Sequence, residues 1–485
     1  MDEFHFMNPR PLCPAALGLA TGIGLWRLLP KGAAFFSCSL GLLIGIGFFL
    51  LQKKHRLYSL FFFLCAIGLL RMHTAAPPIF EEANCTLSGV ICEAPAEVKG
   101  GVRVTLKNVE VDGTPFSGRV ETIMPFCRFS YGQRILAEGT LTPVSASDTN
   151  RLYRNISGTF SAAGDFIGFA EKRDLYGDLL SLRSFLSGRV SSLFPKHGGI
   201  AAAMLLGEKS GITEEENSVL YDSGIGHLIA VSGLHVSVLA GAVSALIPRS
   251  KATLRFLFLS LFLLFYAFIT ALSPSVLRAG ILFLTVELAY ICERRYDGFS
   301  GLSFAALLIL LYKPAALFYA GFQLSFAAVF GLMALSPAIG RLLVPALGDL
   351  GDTLAHSLAA SLAILPVTLY FFGRLSLFSL AANLIALPLA PLFLIPAAVS
   401  LLVSLIIPAA GSLAAFFPSL VLNALFAVGS VFSKGVLTLS SPTVPLMLLY
   451  YTGILIVSDQ CLLPGKIKYP CGFSAMLCAL LCFAS

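Results

Sequence analysis

Apolar positions along this chain gather in long runs, and polar positions gather in the gaps between the runs. Such runs begin at Pro11, Ala33, Leu57, His227, Phe256, Val276, Gly301, Ala315, Leu354, Phe378, Ser412, Val444 and Cys471. Each is long enough to cross roughly 30 Å of hydrocarbon as a helix. The pattern predicts a polytopic α-helical membrane protein of about 11–13 spans. One window departs from it. Between residues 80 and 170, GVRVTLKNVEVDGTPF sets Val102, Val104 and Leu106 against Arg103, Thr105 and Lys107, then turns at Asp112-Gly113. A period of two ending in Asp-Gly predicts a β-hairpin. Further strand-like runs near 84–92, 117–124, 133–141 and 158–167 bring the number to about five, which suits a small barrel of the OB type, with a sandwich fragment as the alternative. Residues 171–194 then return Leu175, Leu179, Leu182, Leu186, Val190 and Leu193 at helical spacing. This predicts an amphipathic helix lying in the membrane interface or against the barrel.

The predicted organisation is therefore 1–75, amino-terminal transmembrane helices; 80–170, an inserted all-β, OB-like extracytoplasmic domain; 171–198, an amphipathic helical linker; and 199–485, a transmembrane channel domain. Composition agrees with a membrane protein: 57% of residues are hydrophobic, 12% are charged and the mean hydropathy is +0.85, against about a quarter charged in soluble chains. Asp2 and Glu3 in the head of the first run, with a second run following at once, argue against a cleaved signal peptide. Lys53, Lys54, His55 and Arg56 should face the cytoplasm, which places His73 to Gly226 outside and returns Arg249, Lys251 and Arg255 inside. The net charge of +7 fits anchoring at an anionic leaflet and by itself implies no nucleic acid. Of the 11 cysteines, only Cys85, Cys92 and Cys127 fall in the exported segment, so at most one disulfide can form there.

Candidate chemistry concentrates in SGIGHLIAVSGLHVSVLAG, residues 223–241. Gly233 in mid-helix costs about 1 kcal/mol relative to Ala, and His227, Ser232 and His235 carry polar groups that hydrocarbon leaves unsatisfied. A discontinuous helix lining a polar cavity satisfies all of them. A tight helix crossing, with Gly and Ser as contact residues and the histidines hydrogen-bonded inside the bundle, is the alternative.

The stretches MLLGEKSGIT (204–213), GHLIAVSGLHVSVLAG (226–241), SPSVLRAGILFL (273–284), GFQLSFAAVFGL (321–332) and LPVTLYFFGRLSLFSLAANLIALP (365–388) together resemble the ComEC-type competence proteins. The resemblance implies a channel that passes single-stranded DNA across the bacterial inner (cytoplasmic) membrane during natural transformation. It also implies partners: an outer DNA receptor, a cytoplasmic helicase-like motor, single-strand-binding proteins and a separate nuclease. Many members end in a metallo-β-lactamase-like domain with a His-x-His-x-Asp-His motif. The seven histidines here, at 5, 55, 73, 197, 227, 235 and 356, include no such spacing, so the expectation is a channel without its own nuclease. Ile364 stands where a small polar residue is expected before Leu365-Pro366.

A single strand carries about one negative charge per nucleotide, so its path needs cationic or dipolar partners. Arg278 is the strongest candidate for touching phosphate, with snorkelling to the interface as its alternative. The expected path comprises His227, Ser232, Gly233, His235, Arg278, Asp222, Gln323 and Asn383; for Gln323, Ser325 and Asn383, structural hydrogen bonding across helices is the competing role. Glu287, nine residues after Arg278, is too far along one helix to pair with it. Pro388, Pro391 and Pro396 mark a kinked or interrupted segment. In the β domain, Phe126, Arg128, Phe129, Tyr131 and Arg134 interleave stacking faces with cations as single-strand binders do. The domain nevertheless carries eight Lys or Arg against ten Asp or Glu, and aromatics of a small barrel also serve as core. There is no Gly-x-x-x-x-Gly-Lys-Ser/Thr loop for ATP, no cofactor is implied, and His227 with His235 alone make a poor zinc site. The rival functions are a transporter of a small solute or lipid and an intramembrane protease using Ser232 with His227 or His235.

Overall fold

The computed structural model describes residues 10–484 apart from 30–32, 51–55, 79, 94, 99, 127–128, 146–147, 172–174, 460 and 462–463. Lys53, Lys54, His55, Cys127 and Arg128 lie outside the described residues. The chain divides into two units, residues 1–185 with 306–319, and residues 186–305 with 320–485.

In the first unit, the helices Leu12–Leu25, Ala33–Leu50 and Arg56–Ala75 precede the sheet. Glycine sets the closeness of the first and third. A Cβ on Gly18 would lie within van der Waals radius of the Phe61 carbonyl, one on Gly22 would stand 1.9 Å from the Cys65 carbonyl oxygen, and one on Gly68 2.3 Å from that of Leu19. Small residues at these three points are what lets the two backbones touch. The residues that follow form β1 (Ala83–Ile91), β2 (Gly101–Val111), β3 (Arg119–Met124), β4 (Gln133–Pro143) and β5 (Ile156–Ala162). They are ordered β1-β2-β3-β5-β4, and β1 also pairs with β4, closing a five-stranded barrel. All neighbours are antiparallel except β3 and β5. The OB-like reading of the window thus holds.

Alternation fills the barrel: Cys85, Leu87 and Ile91 of β1, Val104 and Leu106 of β2, and Ile135, Ala137 and Leu141 of β4 all point into its core. The phase of β2 slips at Asn108, whose φ is 49°, and Val109 then faces inward. The β1–β2 register shifts between Ser88 and Val90 at the same place, as a bulge does. Asp112 and Gly113, with φ of 50° and 78°, make the expected hairpin turn. Cys85 and Cys92 are free buried thiols, too far apart along one extended segment to bridge each other.

The helix Leu175–Leu193 forms where its spacing predicts. Its carboxy-terminal half packs against neither the barrel nor solvent. Leu186, Val190 and Leu193 join a core with Phe194, Ile200, Leu228, Ile229 and Phe393 in the second unit. That unit is helical. Among the described residues of the whole chain, Leu57–Ala75, Arg249–Ile269, Pro274–Ile291, Asp349–Phe372 and Ser379–Ile406 are long and apolar enough to cross a membrane. Two bent pairs, Ala320–Ala334 with Ser336–Leu347 (54°) and Pro408–Ala414 with Phe416–Phe432 (43°), raise the number to seven if each counts once. Six shorter apolar helices of 10–17 residues, Gly233–Ala245 among them, account for the remaining runs. The interruption expected at Pro388, Pro391 and Pro396 does not occur, because Ser379–Ile406 runs through all three as one helix. Ala382, Ala386, Ala390 and Ala397 bury one face of it, and this packing outweighs the ladder hydrogen bonds that proline removes.

Candidate functional site

Residues 223–245 are not a continuous rod. The helix Glu214–Asp222 ends at Ser223, and Gly224 turns with φ 81°, a conformation that favours glycine. A short 3-10 turn, Gly226–Leu228, follows. Ser232 is extended, with φ −103° and ψ 171°, and the helix Gly233–Ala245 starts behind it. Ser232 and His235 cap that start reciprocally: the Ser232 N–H donates to His235 Nδ1 at 3.0 Å, and the His235 N–H donates to Ser232 Oγ at 3.5 Å. The imidazole takes the place of the Glu or Gln side chain in a capping box. Because Nδ1 accepts, the neutral ring carries its proton on Nε2. His235 is fully buried, and Nε2 has no hydrogen-bond partner.

Arg278 comes from the neighbouring helix Pro274–Ile291 and is only 6% exposed. Its Nε donates to Ser325 Oγ at 2.8 Å, and the guanidinium stands 6.0 Å from the centre of the Phe326 ring. Its Nη2 lies 2.6 Å from where a Cβ on Gly233 would be. Glycine at 233 is therefore what admits the guanidinium to the helix start. No carboxylate lies within ion-pair distance of Arg278 among the described residues. Glu287, on the same helix, pairs with Arg255 instead, in keeping with its expected distance from Arg278.

The other expected path residues have separate surroundings. His227 is exposed on the 3-10 turn. Asp222 accepts from Ser218 Oγ at 3.0 Å and pairs with Arg374 at 3.5 Å. Asn383 is 9% exposed and its Oδ1 has no partner. Gln323 is half-buried on the helix that supplies Ser325. A groove of about 610 Å³ at the first helix bend is lined by Ser336, Gly340, Arg341, Asp352 and His356, and by none of the expected path residues. Among the described residues, no group of three or more His, Cys, Asp or Glu gathers to hold a metal ion.

On the barrel, the four described residues of the expected stacking patch have different surroundings. Phe126 is 63% exposed, Phe129 packs against the core, Lys107 sits 5.7 Å from the Tyr131 ring centre, and Arg134 bonds Ser88 and pairs with Glu110 at 3.4 Å. A charge cluster that period and composition did not single out lies elsewhere. Arg154 bonds both Glu93, at 2.7 Å, and Glu121, at 2.5 Å, with Arg119, Arg151 and Arg103 around the same two carboxylates. Burial alone would raise the Glu93 carboxyl, but Arg154 and Arg119 outweigh it and hold the group below its ordinary value. These residues come from positions as distant as 93 and 154, so only the closed barrel brings them together.

Residues 204–459 match the family described as Competence protein. ComE operon protein 3 of Bacillus subtilis (strain 168) is 33% identical over 228 residues, which cover 46% of this chain and 28% of that protein. The uncharacterized protein YcaI of Escherichia coli (strain K12) is 29% identical over 203 residues, 39% of this chain and 27% of its own length. An uncharacterized protein of Aquifex aeolicus (strain VF5) is 36% identical over 132 residues, 27% of this chain and 31% of its own. The chain thus aligns with less than a third of each of these relatives. No solved structure matches it.

Proposed function

Since the chain belongs to the Competence protein family, its match covering more than half of the sequence, we propose that it takes part in DNA uptake for transformation as an inner-membrane channel for single-stranded DNA. The apolar helices are the spans of a multi-pass protein, with the barrel on the extracytoplasmic side and cytoplasmic motor and strand-binding partners supplying direction. The observation that carries this reading is the break before Gly233, where a buried guanidinium meets a helix start with no carboxylate among the described residues to neutralise it. A protein that only had to pack apolar helices together gains nothing from such an arrangement. A polyanion passing the break meets both a cation and exposed N–H groups.

The test is genetic. In a transformable host whose own copy is deleted, labelled DNA should still bind the cell surface but fail to reach the cytoplasm, and this chain should restore entry. Normal cytoplasmic entry in the deletion strain removes the function.

A further inference from the structure

Two positive features face each other at the start of the Gly233–Ala245 helix. The helix N-terminus carries about half a positive charge. The N–H groups of Gly233 and Leu234 donate to no described acceptor, as expected of first-turn donors left without an intrahelical partner. The Arg278 guanidinium, nine-tenths buried, is turned onto this same point, its Nη2 occupying the space that a side chain at 233 would fill. Its only described hydrogen bond is from Nε to Ser325, so both terminal nitrogens are unspent. Like charges do not gather in a dry place unless an anion completes them.

We infer that the first turn of the Gly233 helix and Arg278 form a site for one oxyanion of the phosphodiester type, and that Ser325 is the positioning residue that aims Arg278 at it. Ser325 Oγ accepts the hydrogen bond from Nε–H, which leaves the Nη edge of the planar guanidinium directed at the helix start. This rests on the channel reading and deepens it, because the site gives a passing strand one fixed phosphate contact. A lipid headgroup offers the same chemistry as a DNA backbone.

The experiment uses the purified full chain in nanodiscs of zwitterionic lipid, with inorganic phosphate and a fluorescent oligothymidylate as separate probes. Both should bind and compete. Arg278→Gln should weaken each by about tenfold or more, the range of a lost charge-assisted bond. Ser325→Ala should weaken binding less, and Ser325→Thr should restore it, which a merely space-filling role would not do. Gly233→Ala keeps every charge but displaces the guanidinium, and should reduce binding even if Arg278→Gln does not fold. Unchanged binding in Gly233→Ala overturns the site, as does wild-type binding of both probes in Arg278→Gln. If nanodiscs rich in phosphatidylglycerol block phosphate while oligothymidylate fails to compete, the oxyanion site stands and its occupant is lipid. Phosphate binding is read without transport, so failure of the site and failure of the channel function give different results.

Discussion

Ser232 shows how a single residue sets the local structure around the break. Its hydroxyl and its N–H both engage His235, so Ser232→Ala removes a cap worth about 1 kcal/mol, while Ser232→Asp retains an acceptor there. Thermal unfolding of the purified chain should show a lowered midpoint for the alanine variant and a smaller change for the aspartate one. The types of residue at this point were legible in the sequence, since Ser, Gly and His stand out in an apolar run. Their bonding was not, because a capping box is recognised by Glu or Gln at its last position and here His235 plays that part. Arg278 was legible as a lone cation, but Ser325, 47 residues on, is one of many serines and only the fold selects it. Asp222 was legible as a charge beside the break, and only the fold gives it Arg374 and Ser218 as partners.

Elements follow local rules wherever their cause is local. The hairpin at Asp112-Gly113 and the helix from Leu175 to Leu193 form where turn chemistry and period place them. The β3–β5 parallel pairing and the β1–β4 closure join distant segments, and no periodicity in the sequence announces them. Packing also overrode a local signal in Ser379–Ile406, where three prolines fail to break a helix held by a stripe of buried alanine. Two expectations belong at this scale. Gly22→Leu places a side chain against the Cys65 carbonyl, so the helices Leu12–Leu25 and Arg56–Ala75 should separate; limited proteolysis should cut that variant in the amino-terminal region much faster than the native chain. The Glu93 carboxyl is held below its ordinary 4.5 by Arg154 and Arg119, despite burial. A depressed folded-state value stabilises above the unfolded one and is lost as pH falls through it. Unfolding of the barrel, followed by tyrosine fluorescence, should therefore become easier below about pH 4.5, and Glu93→Gln should flatten that dependence; an unaltered acid limb in the variant would contradict the assignment.

At the scale of the whole molecule, hydropathy found the apolar helices but not their lengths. Runs counted as full spans include Gly233–Ala245, which the turn before Ser232 shortens to 13 residues, and Val444–Val457, of 14 residues. An average over a window cannot see a backbone that leaves the helix for a few residues and returns to it. That interruption is the physical core of the proposed channel, because it exposes N–H groups and admits a guanidinium where an unbroken helix would present only side chains. The most direct measurement is cytoplasmic entry of labelled transforming DNA in cells whose own copy is replaced by Arg278→Gln, inserted at native abundance. Entry is expected to fall by about tenfold or more, with surface binding of DNA unchanged. Entry at the native rate would contradict the account.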